Sequence, residues 1–240
     1  TILQRANLQK IEIARANLSK SDLYEAKAQR SNFEAANLSE AVAQRATFKK
    51  AILREANLDK ADFKEANLSS ADLTRVSGSH VDLAKANLED GRLNEARLPN
   101  ANFAEVHAAR ASLASGIFED GDFHGGDFQD ADFRDTNLAR VNFEVTDLRH
   151  ADLRRADLAG ANLKAAYLRG ADLQGARLAG ADLHAADLQH ANLQGADLDG
   201  ADLSDADLRE ATCTRAQLSR AKNANPEGIQ ELSPSDSQAE

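Results

Sequence analysis

The chain has 240 residues, 39 acidic against 29 basic side chains and a net charge of −10, with one Cys and neither Met nor Trp. No stretch approaches the roughly 18 apolar residues of a membrane span, no N-terminal apolar segment suggests a signal peptide, and a single thiol cannot close an internal disulfide, which suits a reducing, cytoplasmic setting. The acidity argues against direct nucleic-acid binding through phosphate contacts and leaves open protein partners with a basic surface.

From Leu3 to Leu218, every fifth residue belongs to one grid of 44 positions, and 38 of them are Leu or Phe. The exceptions are Ile13, Ala28, Ala43, Gly78, Ala108 and Cys213, and all nine Phe lie on the grid. The residue two before each centre is Ala in 30 cases, and the residue just before it is Asp or Asn in 28. The phase never slips, so no loop is inserted.

A period of five fits neither a helix nor a flat strand, on which successive centres would alternate between faces. The conflict disappears if the chain turns a corner in every pentapeptide. The centre and the residue two before it then point inward, the Asp or Asn between them points outward, and the other two residues form the corner. Four such sides close a coil of 20 residues.

The charges two after each centre test this. Between residues 20 apart, 13 charged pairs are opposite in sign and two alike; at a spacing of 15, five are opposite and 11 alike. Like charges stacked directly in a ladder are unfavourable, so four sides are favoured over three. The column Arg5, Glu25, Arg45, Glu65, Lys85, Glu105 alternates at every step.

Core volumes compensate within the unit. Phe118, Phe123 and Phe128 follow Gly116, Gly121 and Gly126, whereas Gly78 follows Val76 and Ala108 follows Val106. Ala28 and Ala43 follow Ala26 and Ala41, so a thin core is expected over residues 26–43.

These units, such as Ala6-Asn7-Leu8, Ala151-Asp152-Leu153 and Ala201-Asp202-Leu203, resemble the A-(D/N)-L-x-x consensus of the pentapeptide-repeat family over residues 1 to about 220. The resemblance implies an all-β fold, a right-handed quadrilateral β-helix. Its about eleven coils would make a rod about 50 Å long at strand spacing. The expected organisation is a repeat solenoid over 1–222 and a C-terminal cap with a disordered polar tail over 223–240. The start at Thr1, already in register, suggests a removed initiator Met, an excised piece of a larger protein, or an end-on contact.

No catalytic or metal constellation stands out, and no enzyme activity or cofactor is expected. The column-sharing pairs His124/His184 and His150/His190 lie three and two coils apart, about 14 and 10 Å, too far for common zinc ligation. Cys213 fills a core centre and reads as a buried apolar residue.

The acidic residues are more informative. Residues 1–120 hold 17 basic and 17 acidic side chains, and residues 121–240 hold 12 and 22. In the second half the corner becomes Gly or Ala and the charge moves to the outward Asp. Asp132, Asp152 and Asp172 are expected to stack on one side, and Asp127 with Asp147 and Asp187 with Asp207 on another. Asp and Asn here are expected to bond turn backbone, and the Asp columns are candidates for binding a basic partner.

Two functions follow. The first is a non-catalytic protein-interaction scaffold, monomeric and without membrane insertion, used alone or as a module of a larger bacterial protein. The second is implied by the resemblance to the quinolone- and albicidin-resistance members: a DNA mimic that binds DNA gyrase. Those members typically dimerise through a C-terminal helix and carry protruding loops, neither of which is visible in this sequence.

Overall fold

The computed structural model describes residues 1–231. With the exception of Asp197, the outward residue before each centre forms a single-residue parallel bridge with the residue 20 further on, from Ile2–Asp22 to Asp202–Lys222. The bridges align in four ladders, which begin at Ile2, Asn7, Glu12 and Asn17 and are called the first to fourth. The 20-residue coil expected from the charges is therefore the observed repeat.

The amides explain why the unit has five residues. The centre donates to the next coil (Leu3 N to Asp22 O, 2.7 Å), and so does the residue two after it (Arg5 N to Tyr24 O, 2.8 Å). The residue before the centre donates to the preceding coil (Asp22 N to Thr1 O, 2.8 Å), and the residue three after it closes the corner on the centre carbonyl (Ala6 N to Leu3 O, 3.0 Å). One amide remains, that of the residue just after the centre. Wherever the residue before the centre is Asp or Asn, its Oδ1 accepts this amide; all 28 such residues do so. The Asp/Asn preference thus completes the backbone's hydrogen bonding. Pro99 occupies the same after-centre position, where the ladders require no donor.

Every corner residue from Arg5 to Glu210 has φ between +50 and +69°. An L-residue there costs about 1–2 kcal/mol, and the ladder bonds on both sides hold it in place. The shift from charged corners to Gly160, Gly170, Gly175, Gly180, Gly195 and Gly200 in the second half relieves that strain as it removes charge.

Inside, all nine Phe are fully buried. A Cβ on Gly121 or Gly126 would lie 2.9 Å from the ring of Phe123 or Phe128, so the expected exchange of volume is real. The expectation of a thin core near 26–43 considered only exchange within a unit. The ladders place Phe48 over Ala28 and Phe63 over Ala43, and both Ala are fully buried. Phe33, Phe48 and Phe63 pack ring to ring at 5.3 and 5.4 Å. The missing volume is supplied by the next coil.

The register departs from the plain repeat in two places. At Gly78 the chain presses onto the preceding coil, where a Cβ would lie 2.6 Å from Asp59 N, and Ser79 donates its amide and hydroxyl to Asp59 Oδ1 (3.0 and 2.7 Å). At the C-terminal end, β1 (Thr212–Cys213) pairs in parallel with β2 (Gln230–Glu231), and α1 (Arg215–Leu218) lies between them. Leu218, expected as a last repeat centre, is helical instead. Thr214 and Gln217 form a reciprocal cap, and Gln217 Nε2 donates to the carbonyls of Leu193 and Ala196 (2.8 and 2.9 Å). At Ala196 O the side-chain amide stands where a further repeat would have placed the backbone amide of residue 217, and at Leu193 O it adds to the amide of Ala196. The part of the expected tail from residue 232 onward lies outside the described residues.

Candidate functional site

The outward residues come together as columns on four faces. In the second half, the third ladder stacks Asp132, Asp152 and Asp172 in consecutive bridges. The second ladder runs Asp127, Asp147, Tyr167, Asp187, Asp207. The sequence expectation of stacked carboxylates that bond turn backbone matches this arrangement but did not include ion pairs.

Most are not bare. Arg134 holds Asp132 through two bonds (2.8 and 2.7 Å) and reaches Asp152 at 3.5 Å. Arg154 holds Asp152 in the same way (2.8 and 2.6 Å) and reaches Asp172 at 3.6 Å. Arg149 and Arg209 clasp Asp147 and Asp207. The third-ladder face is thus an Arg–Asp zipper rather than an anionic strip. The sequence signal for it is the triplet Asp-Leu/Phe-Arg, at Asp132–Arg134, Asp147–Arg149, Asp152–Arg154 and Asp207–Arg209. The two outer members flank one inward side chain and so share a face.

The guanidinium of Arg134 holds the Asp132 carboxyl below its ordinary range, and that of Arg209 lowers Asp207 to about 2. Two candidates remain outside any ion pair among the described residues. Asp127 and Asp187 accept only the after-centre amides of Gln129 and Gln189 (3.1 and 3.0 Å). Asp187 borders a shallow pocket of about 280 Å³ lined by Asp147, Arg149, Tyr167, Arg169 and Asp187.

In the first half the corner columns pair as their alternation requires: Arg5–Glu25 and Arg45–Glu65 at 2.8 Å and Lys85–Glu105 at 3.4 Å. Histidines join the same scheme. His190 Nδ1 lies 3.1 Å from Glu210, and His184 Nδ1 lies 2.9 Å from Ser204 Oγ, each one coil on. Among the described residues, no group of His, Cys, Asp and Glu converges as a metal site, and no helix is long and apolar enough to cross a membrane. Cys213 is buried, and desolvation raises its thiol to about 11, which disfavours the thiolate a nucleophile needs.

Residues 1–40, 127–164, 146–184, 156–200 and 186–222 match the family of pentapeptide repeats, and residues 26–103 match the pentapeptide repeat region. No curated protein matches the chain. Among solved structures it is similar to HetL, a pentapeptide repeat protein involved in heterocyst differentiation regulation in Nostoc. The two are 34% identical over 85% of this chain and 88% of that one, with a TM-score of 0.37. It is also similar to the pentapeptide repeat protein Rfr23 from Cyanothece 51142, at 28% identity over 46% and 63% of the two chains (TM-score 0.34). QnrB1, a plasmid-mediated fluoroquinolone resistance protein, matches at 21% identity over 69% and 87% (TM-score 0.35).

Proposed function

The chain belongs to the pentapeptide-repeat family, and on that premise we propose that it is a non-catalytic scaffold that binds a protein partner on its outer faces. The supporting observation is the division of labour in the unit. Two of its five residues fill the core and the backbone bonds are closed by ladders and Asp/Asn oxygens, so the remaining side chains project, without filling the core, from the four faces, where a partner can meet them. The reading includes a right-handed solenoid of about eleven coils, a cytoplasmic setting and no turnover.

Among the acidic candidates, Asp127 and Asp187 are the carboxylates available to a cation of the partner, since Asp132, Asp147, Asp152 and Asp207 are clasped by arginine. Affinity capture from a bacterial lysate tests this, comparing the wild type with an Asp127→Asn/Asp187→Asn variant. A partner retained by the wild type and lost by the variant supports it. No partner at all rejects the scaffold, and equal retention rejects these two acids.

The gyrase-binding reading is kept for one reason, the excess of acidic residues in the second half. The zippered third ladder gives it less unpaired negative charge than the Asp columns suggested. Gyrase subunits are the named positive in the capture, and a supercoiling assay with neither inhibition nor protection would reject it.

A further inference from the structure

We propose that the surface centred on Tyr167 and Arg169 is the docking patch of this solenoid, and that it takes a protein segment presenting an apolar side chain between a carboxylate and a cationic group. The proposal rests on the scaffold reading and adds the face and the partner's chemistry.

The first observation is a broken rule of charge pairing. Between residues 121 and 210 there are nine Lys and Arg side chains. Eight stand in ion pairs with carboxylates: Arg134, Arg140, Arg149, Arg154, Arg155, Lys164, Arg177 and Arg209. Among the described residues Arg169 has no such partner. The cause is local. Its position after the centre is the one Arg149 and Arg209 occupy on the same ladder, where the residue two before each is Asp. At Arg169 that residue is Tyr167. One Asp-to-Tyr change in the triplet pattern therefore removes the carboxylate that clasps Arg149 and Arg209 and sets an aromatic ring beside the guanidinium.

The second observation is exposure. Tyr167 is 47% exposed on a strand-like position of the outer wall, and Val145, on the adjacent corner column one coil earlier, is 48% exposed. Among the described residues the other large exposed apolar side chains, Ile2, Val42 and Ile52, all lie in the first quarter of the chain. Above Val145 the corner column continues as the uncharged Ala165 and Ala185. Tyr and Arg are, with Trp, the side chains enriched where binding energy concentrates.

The third observation is the charge around the ring. Tyr167 is bridged on one side to Asp147, which Arg149 clasps, and on the other to Asp187, about 4.8 Å along the ladder, which is in no ion pair among the described residues. An unpaired cation and an unpaired carboxylate thus border one exposed aromatic ring. Their complement is an apolar side chain that reaches the ring with a carboxylate toward Arg169 and a cation toward Asp187.

The test is selection of random 12-residue peptides displayed on phage against the intact chain, with the enriched peptides then synthesised and their affinities measured. The expected result is enrichment of peptides carrying an acidic, an apolar and a basic residue. Their binding should weaken at least tenfold with Tyr167→Ala and with Arg169→Ala and hold with Glu119→Gln, which lies on another column. Circular dichroism melts of each variant establish that the fold is kept; should Tyr167→Ala melt early, Arg169→Ala and Tyr167→Phe carry the comparison. Peptides that bind all variants equally would overturn the patch and leave the scaffold reading standing. Absence of any enriched peptide would overturn both.

Discussion

Asp132 and Arg134 flank one buried phenylalanine, Phe133, and their outward side chains meet in a two-point ion pair at 2.8 and 2.7 Å. Because Arg134 also reaches Asp152, each arginine screens two carboxylates of the column. The pairs are largely solvent-exposed, so each contributes little to stability. Their larger effect is on the surface field. Replacing both clasps, Arg134→Gln/Arg154→Gln, should leave the denaturation midpoint nearly unchanged and uncover Asp132, Asp152 and Asp172. The variant should then bind a hexalysine peptide more tightly than the wild type in low salt, with the difference fading at high salt. Equal titrations at low salt would show that the arginines do not mask the column.

The same clasps set a pH window. Asp207 has its carboxyl lowered to about 2 by Arg209, against about 3.9 in an unfolded chain. The unfolded state therefore binds the proton first. The contribution of this carboxylate is complete above about pH 4 and disappears as the pH falls toward 2. Asp90, Asp120 and Asp135 are lowered in the same direction, each by a bonded arginine. Thermal midpoints should be flat from pH 7 to pH 5 and fall between pH 4 and pH 2. In Arg209→Gln the Asp207 titration, followed by its carboxyl carbon resonance, should move up toward the ordinary value. An unmoved titration would reject the assigned cause.

How far the sequence reached depended on whether a property repeats. The five-residue centre, the inward Ala and the 20-residue coil recur along the chain, so pattern alone placed Asp132 on Asp152 and Arg5 on Glu25. Properties carried by single departures were not legible. Ala28 looked like a gap because its filler, Phe48, is 20 residues away in the chain and adjacent in space. Leu218 fits the grid, yet Thr214 and Gln217 cap a helical turn that takes it off the ladder. The ion pairs of the Asp columns were not legible because arginines two residues on belong to no column of like residues. Arg169 was hidden for the same reason: it is notable only once its neighbours are seen to be paired.

Val145 shows strain that a periodic fold can impose. It is β-branched, half exposed, and held at φ +56° in a position where Gly and Asn are at ease. Its corner amide still donates to Lys164 O at 3.0 Å, so the ladder enforces the angle. Val145→Asn should raise stability by about 1 kcal/mol, read as a higher denaturant midpoint at constant slope. The reverse substitution at an open corner, Gly180→Val, where nothing stands within 4 Å of an added Cβ, should lower stability by about 1–2 kcal/mol. A neutral Gly180→Val would mean that the corner angle is not what limits these positions.

Two buried serines, Ser21 and Ser31, should respond oppositely to the same substitution. Both occupy the inward position two before a centre. Ser31 Oγ donates to Leu8 O at 2.5 Å and to Ala28 O at 2.9 Å. Thr136 and Thr146 follow the same geometry, each bonding the centre carbonyl 23 residues earlier, Leu113 O at 3.2 Å and Phe123 O at 2.9 Å. The buried hydroxyl of Ser21 has no partner among the described residues. Burying an unpaired hydroxyl costs about 1–3 kcal/mol, whereas a made hydrogen bond contributes about 1 kcal/mol. Ala is the commonest residue at this position and fits the space. Ser21→Ala should therefore stabilise the chain by about 1 kcal/mol, and Ser31→Ala should destabilise it by a similar amount. Denaturant titrations of the two variants at matched protein concentration decide the matter. If both substitutions lower the midpoint, Ser21 is satisfied in solution by a group that the coil geometry does not supply.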